Sequence, residues 1–385
     1  MELLKLILRN TLRQRLRTAL TIAGMAVAIL AFCLLRTVVD AWYAGVSAAS
    51  PNRLVARNAI SLIFPLPLSY KQKIAQVAGV SQVGYANWFG GIYKTEKYFF
   101  PNFAVDPQNY LDLYPEFVLS PEERGAFLRD RKGAVAGRKL AAKHGWKIGD
   151  QITLKGTIFP GQWEFALRGI YRGAQRTTDE SQFFFHWNYL NETLKQTMAR
   201  RADQTGIFVI GVKKADQAAE VAEAVDAQFK TSLAETLTET EKAFQLSFVA
   251  MTEAIVIAIQ IVSYVVIVII MVVAANTMAM TARERIAEYA TLKALGFGPL
   301  HIGGVILGES LAISLAGGAL GIALTFPAAG WIETELSQFF PVFHVTTATV
   351  LLDLAAATVV GGVAAVFPTW RGVTIRVADG LRRIG

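Results

Sequence analysis

Residues 254–280 read AIVIAIQIVSYVVIVIIMVVAANTMAM, a run free of Asp, Glu, Lys and Arg and the densest Val/Ile block in the chain. A helix needs about 20 mostly apolar residues to cross the roughly 30 Å hydrocarbon core of a bilayer, so this stretch sets the fold class. Three further runs are long and mostly apolar, at 302–330, 348–370 and 19–40. The last is interrupted by Arg36 near its end, where a long side chain can snorkel to the interface. It is too long for a secretory leader and lacks a small-residue cleavage site, which predicts a retained membrane helix. Composition agrees: 53% of the 385 residues are hydrophobic and 18% charged, against about 25% charged in globular chains. With Cys33 as the single cysteine, a disulfide scaffold is excluded.

The charges around the four runs predict their orientation. Lys5, Arg9, Arg13, Arg15 and Arg17 precede the first, Arg283, Arg285 and Lys293 separate the second from the third, and Arg371, Arg376, Arg382 and Arg383 follow the fourth. The connection between the third and fourth carries Glu333 and Glu335 and no Lys or Arg. By the positive-inside rule the three basic segments face the cytoplasm, with both termini inside and the long loop outside. This placement accounts for much of the net charge of +8, and nucleic acid is not an expected partner. In residues 1–18 leucines recur at 4, 8, 12 and 16 and cations at 5, 9, 13 and 17. The segment reads as an amphipathic helix on anionic membrane lipids, or as an anchor that only fixes orientation.

Between the first two spans, residues 41–246 are long enough for a folded domain. Strand-like runs (52–59, 80–88, 151–155, 164–171, 206–213) alternate with helical ones (70–78, 138–144, 215–229), which predicts an α+β domain. Residues 115–199 read as an inserted subdomain. Gly149 closes a turn at a position suited to positive φ. The aromatic runs 98–100 and 183–189 are open to two readings, core packing or an exposed patch for apolar cargo or a partner. His144 and His186 stand alone, and no HExxH, GxSxG or CxxC occurs. No catalytic residue or metal site is expected, and the chain does not read as an enzyme.

The next stretch, residues 281–301, is TARERIAEYATLKALGFGPLH. Arg285 and Glu288 share a helix face, Gly296 supplies a stop, and Pro299 starts the next helix. Here the sequence resembles the MacB/FtsX-like (type VII) permeases of ABC transporters, which include MacB-like and LolC/LolE-like members. Their second span ends in a pattern like E-R-x-x-E-I-G-x-L-K-A-L-G, against Glu284 to Gly296 here, with a departure at Tyr289-Ala290. Leu12 to Gly24, Ala136 to Ala141 with Gly145 to Asp150, Glu309-Ser310 with Gly317, Gly318 and Gly321, and Pro368 to Arg371 resemble further family segments.

The resemblance implies a membrane α-helical fold of four transmembrane helices with an inserted α+β extracytoplasmic domain of the MacB periplasmic core type. It divides the chain into a cytoplasmic helix (1–18), spans at 19–40, 247–280 (with a stalk), 302–330 and 348–370, the outer domain (41–246), a coupling segment (281–301), a short outer loop (331–347) and a tail (371–385). It also implies that Arg283, Glu284, Arg285, Glu288, Leu292, Lys293, Leu295, Gly296 and Phe297 contact a cytoplasmic ATPase. No G-x-x-x-x-G-K-[ST] occurs, so ATP and Mg are expected on a separate, dimeric ATPase subunit and no cofactor on this chain. The expected partners are that ATPase, a second permease copy (identical or related) and membrane lipids. A periplasmic adaptor and outer-membrane channel are optional further partners. The implied location is a bacterial inner membrane.

The implied mechanism is mechanotransmission, in service of export from the periplasm or extraction from the outer leaflet. A signalling permease acting on a periplasmic hydrolase and a lipoprotein-releasing permease are the alternatives. A continuous helix over 247–295 would be about 70 Å long, enough for a lever. Glu309 is the one carboxylate well inside a span, expected to pair within the cytoplasmic half, with Glu253 and Asp353 placed near span ends. Gly317 with Gly321, and Gly304 with Gly308, have the G-x-x-x-G spacing of close helix packing.

Overall fold

The computed structural model describes residues 15–335, 340 and 342–377. Most of the amphipathic segment 1–18 therefore lies outside the described residues, as do Arg382 and Arg383. The chain separates into a helical unit (1–41, 253–335 and 343–385) and a sheet-based unit (42–252 with 336–342).

Along the chain, α1 (Arg15–Trp42) and α2 (Ala44–Ala48) precede β1 (Arg53–Asn58), β2 (Leu66–Pro67), α3 (Tyr70–Ala75), β3 (Val80–Trp88), β4 (Asn102–Val105), α4 (Tyr110–Leu113) and β5 (Phe117–Val118). Then come α5 (Pro121–Arg129), β6 (Gly133–Gly137), α6 (Arg138–His144), β7 (Gln151–Gly156), β8 (Gly161–Gly173), β9 (Phe183–His186) and α7 (Trp187–Thr197). The sheet-based unit closes with β10 (Gln204–Thr205), β11 (Ile207–Val212), α8 (Ala218–Phe229), β12 (Thr236–Thr240) and α9 (Glu241–Ala250). The helical unit resumes with α10 (Glu253–Glu284), α11 (Ile286–Ala294), α12 (Pro299–Glu335) and α13 (Thr347–Thr374).

Among the described residues, the sheet-based unit is built on one ten-stranded mixed sheet, β12-β1-β11-β3-β4-β9-β6-β8-β5, with β7 paired to β8. Residues 115–199 supply β5 to β9 and so form one end of the same sheet. The junction is the parallel pair β4–β9, in register from Asn102↔Phe183 to Val105↔His186. This position explains the aromatic run. β9 is central and covered on both faces, so it reads as a continuous apolar stretch instead of an alternating one. Phe183 and Phe185 enter one core with Phe89 and Phe165, and Phe184 enters the other with Tyr110 and Tyr171. All three are fully buried, which removes the exposed-patch reading for them. Tyr98 and Phe99 are partly exposed, while Phe100 is buried.

Four helices of the helical unit, α1, α10, α12 and α13, are long and apolar enough to cross a membrane. Their common core joins Met25 and Ile29 of α1, Ile270, Ala274 and Met278 of α10, Ile313 of α12 and Ala357, Val360 and Ala364 of α13. Small residues set the approach. A Cβ on Gly317 would lie 2.5 Å from Met25 Cβ, and one on Gly321 would lie 2.6 Å from the Ala26 carbonyl oxygen. Hence α12 packs directly on the backbone of α1, the close contact that small residues permit where no hydrophobic drive operates.

The expected continuous helix over 247–295 does not form. It is interrupted at Met251–Thr252, where the Thr252 hydroxyl turns back to the Val249 carbonyl (3.1 Å) and accepts from Trp42 Nε1 (2.8 Å). A second interruption falls at Arg285, whose φ of −101° and ψ of 12° leave the helical region. What remains is a 32-residue rod, α10, about 48 Å long.

Candidate functional site

The end of the bundle where α10 stops is organised by charge. Arg17 of α1 donates two hydrogen bonds of 2.8 Å to the two carboxylate oxygens of Glu284, a bidentate geometry that fixes orientation. The next residue, Arg285, stands between α10 and α11. Its Nε donates to Glu288 Oε2 (2.9 Å) and its Nη1 to Glu309 Oε2 on α12 (2.6 Å), and the guanidinium lies 5.6 Å from the Tyr289 ring centroid. The backbone leaves helical geometry where this reach is made. Side-chain exposure is 12% for Arg285 and 8% for Glu309. Burial works against the Arg285 charge, but Tyr289, Glu288 and Glu309 outweigh it and keep the guanidinium above its ordinary value. Burial also pushes the Tyr289 hydroxyl up to about 12. A polar cavity of about 170 Å³ opens beside this network, lined by Arg17, Thr21, Thr281, Glu284, Arg285 and Glu309 among others.

The two ends of α11 follow from its sequence. At its C-terminus Gly296 adopts φ +90°, the left-handed conformation that glycine takes without penalty. The Phe297 N–H donates to the Leu292 carbonyl and the Gly296 N–H to that of Lys293, each at 3.0 Å, the paired bonds of a Schellman cap. Pro299 then opens α12, where its missing N–H is not needed. Tyr289 and Ala290, the departure from the family pattern, are both buried, with Tyr289 packed among Ala282, Ile302 and Ile306. Glycine at 372 leaves room for that packing, since a Cβ there would lie 2.7 Å from Ile306 Cδ1.

The residues singled out in the sequence therefore divide into two groups. Glu284, Arg285, Glu288 and Glu309 are engaged with one another or with Arg17, with Arg285 and Glu309 buried and Glu284 and Glu288 partly exposed. Lys293 also turns inward, donating to the Val373 (2.5 Å) and Ile375 (2.7 Å) carbonyls at the end of α13, a cation at a helix C-terminus. Leu292 packs against the Tyr289 cluster. Facing outward are Arg283, Gly296, Leu295 (71% exposed) and Phe297 (46%). Gly304 is exposed, with nothing within 4 Å of a Cβ, and Gly308 is half-buried. Sequence reasoning missed Leu300, 91% exposed at the start of α12, and Arg17 as the partner of Glu284. Leu300 could have been found from its place beside the Gly298-Pro299 turn; no local signal marks the Arg17 pairing, 267 positions distant. Among the described residues no cluster of His, Cys, Asp and Glu could hold a metal ion.

Two family descriptions match the chain: MacB-like periplasmic core domain over residues 18–228 and FtsX-like permease C-terminal over residues 260–377. An uncharacterized ABC transporter permease of Methanocaldococcus jannaschii is 23% identical, the match covering 97% of this chain and 96% of that protein. Two solved structures are similar. The extracellular domain of the ABC-type transporter YknZ from Gram-positive bacteria has a TM-score of 0.37 at 12% identity, covering 49% of this chain and 99% of that one. The periplasmic region of MacB from Actinobacillus actinomycetemcomitans has a TM-score of 0.37 at 7% identity, covering 53% and 95%.

Proposed function

The chain belongs to the ABC transporter permeases that carry a MacB-like periplasmic core domain and an FtsX-like C-terminal region, and from that membership we propose that it transmits ATP-driven motion from a separate ATPase subunit to its outer domain. The observation that carries this reading is the turn between α11 and α12. Leu295, Phe297 and Leu300 project from it with large exposed apolar surfaces, and the Schellman cap and Pro299 hold the turn in one conformation. A partner groove that buries such anchors gains affinity from them, while nearby charges set register. The ion pairs Arg17–Glu284 and Arg285–Glu309 tie the start of α11 to α1 and α12, so a push on the turn is delivered through this short helix to the bundle. ATP and Mg are bound by the ATPase, and the permease works as a dimer in the cytoplasmic membrane with both termini inside. Its task is export, or extraction of a substrate from the outer leaflet or the space beyond it.

The test is co-purification with the cognate ATPase, together with the ATPase rate of the complex. Leu295→Asp and Leu300→Asp should each weaken the complex by about 2 kcal/mol, the scale of an interface anchor, with the permease still inserted and folded. Wild-type association and rate in both variants would remove this turn as the docking site.

A further inference from the structure

Asp353 lies on α13 with no exposed surface, and neither of its carboxylate oxygens has a hydrogen-bond partner among the described residues. We propose that Asp353 is a proton-binding site within the helical bundle, loaded in the packed conformation seen here and emptied when the helices around it part.

The neighbours of the carboxyl lead to this reading. From α1 it faces the Cys33 thiol, itself fully buried and only a weak donor. Thr325 of α12 and Thr37 of α1 are fully buried as well, but their hydroxyls donate to the Gly321 (2.9 Å) and Cys33 (2.8 Å) carbonyls of their own helices. The cation on this part of α1, Arg36, lies against Asp40 at 3.7 Å. Asp40 in turn accepts from Thr349 (2.8 Å) and Thr346 (3.3 Å) of α13. On α12 the carboxylate inside the span, Glu309, is held by Arg285. Along α10 the charged residues Glu253, Arg283 and Glu284 stand at its ends, and Tyr264 between them is exposed. Among the described residues, no cation and no strong donor therefore reaches Asp353. An ionised carboxylate so placed is strongly disfavoured, and such a group neutralises instead.

A metal cation is a poorer neutraliser here. It needs a shell of several oxygens, and the pocket offers two carboxylate oxygens beside a thiol. The loading step is simple: the carboxylate takes one proton from hydronium, an O–H bond forms, and water is left. Each closing of the bundle around Asp353 then takes up one proton per subunit, and each opening that admits water returns it. An intramembrane carboxyl of this kind links the external proton concentration to the conformational balance of the permease. The inference rests on the helices being membrane-embedded and not on the ATPase docking site, so the two readings fail separately.

The experiment uses the full chain in detergent. Wild type binds one proton more when folded than when unfolded, over the pH range between the ordinary aspartate value of 3.8 and the point at which the buried carboxyl itself ionises. Its unfolding equilibrium should therefore shift toward the unfolded state by about tenfold per pH unit relative to Asp353→Asn as pH rises within that range, and level off above it. The asparagine is neutral and of the same shape, so it should fold and lack this slope. In parallel, the apolar reagent dicyclohexylcarbodiimide, which attacks protonated carboxyls, should label the peptide containing Asp353, with complete loss of that adduct in Asp353→Asn. Equal pH slopes in the two proteins would overturn the proposal. So would a wild-type slope that vanishes when sodium replaces choline in the buffer, which would identify a metal cation as the neutralising ion.

Discussion

Arg285 does two jobs that pull in different directions. Its backbone ends one helix and begins another, while its side chain reaches to α12 and spans two carboxylates. Of the two pairs, Arg285–Glu309 is the buried one, with both side chains under one-eighth exposed, whereas Glu288 is 38% exposed. Removing one partner of a buried pair strands the other charge, and the stranded charge dominates the loss. Glu309→Gln leaves a neutral hydrogen-bonding group and should be mild. Arg285→Met should destabilise the bundle by about 3 kcal/mol, and Arg285→Met with Glu309→Met should recover most of that loss. Denaturant titration in detergent of wild type, Arg285→Met, Glu309→Met and the double variant closes the cycle. A double-variant loss equal to the sum of the two single losses would mean that the pair carries no coupling. Charge reversal at Glu288 belongs to a weaker, half-exposed contact and should cost less than about 1 kcal/mol.

Among the elements, α12 shows how spacing and surroundings separate. Gly317 and Gly321 face α1 at backbone contact, whereas Gly304, in a pair with the same spacing, faces open space. A leucine at 317 must displace Met25 or the α1 backbone, so Gly317→Leu should destabilise the unit by about 1–3 kcal/mol, and Gly304→Leu should be neutral. Thermal unfolding of the two variants in one detergent checks both; equal behaviour would mean that α1 and α12 do not pack as described. The G-x-x-x-G pattern was legible in the sequence, but which copy packs was not. The same limit holds for α10, which is apolar all round, so that no periodicity marks the stripe Ile270, Ala274 and Met278 that faces the core. The runs 80–88 and 138–144 coincide with β3 and α6, whereas α5 was passed over despite its capping box of Ser120 with Glu123. β9 was missed as a strand because burial on both faces erases alternation. The two breaks in the expected lever were missed because they depend on Thr252 and Arg285 finding partners far along the chain.

At the scale of the molecule, three contacts bring one end of the bundle together. Arg17–Glu284 joins the start of α1 to the end of α10, Arg285–Glu309 joins the α10–α11 break to the first turns of α12, and Lys293 holds the end of α13. The segments that carry Arg15, Arg17, Arg283, Lys293 and Arg371 are thus gathered at this end. The other end carries Asp40 with Thr346 and Thr349. The positive-inside rule predicts that this basic end faces the cytoplasm, because cationic flanks resist translocation. Single cysteines make this measurable without removing Cys33, which is fully buried and should stay unreactive. Gln108 on the sheet-based unit and Thr291 on α11 are both exposed side chains. In intact cells an impermeant maleimide should label Gln108→Cys, and should label Thr291→Cys only after the membrane is permeabilised. That labelling pattern is the one that the proposed transmission requires. Labelling of Thr291→Cys in sealed cells would invert the orientation and place the turn where no cytoplasmic ATPase could reach it.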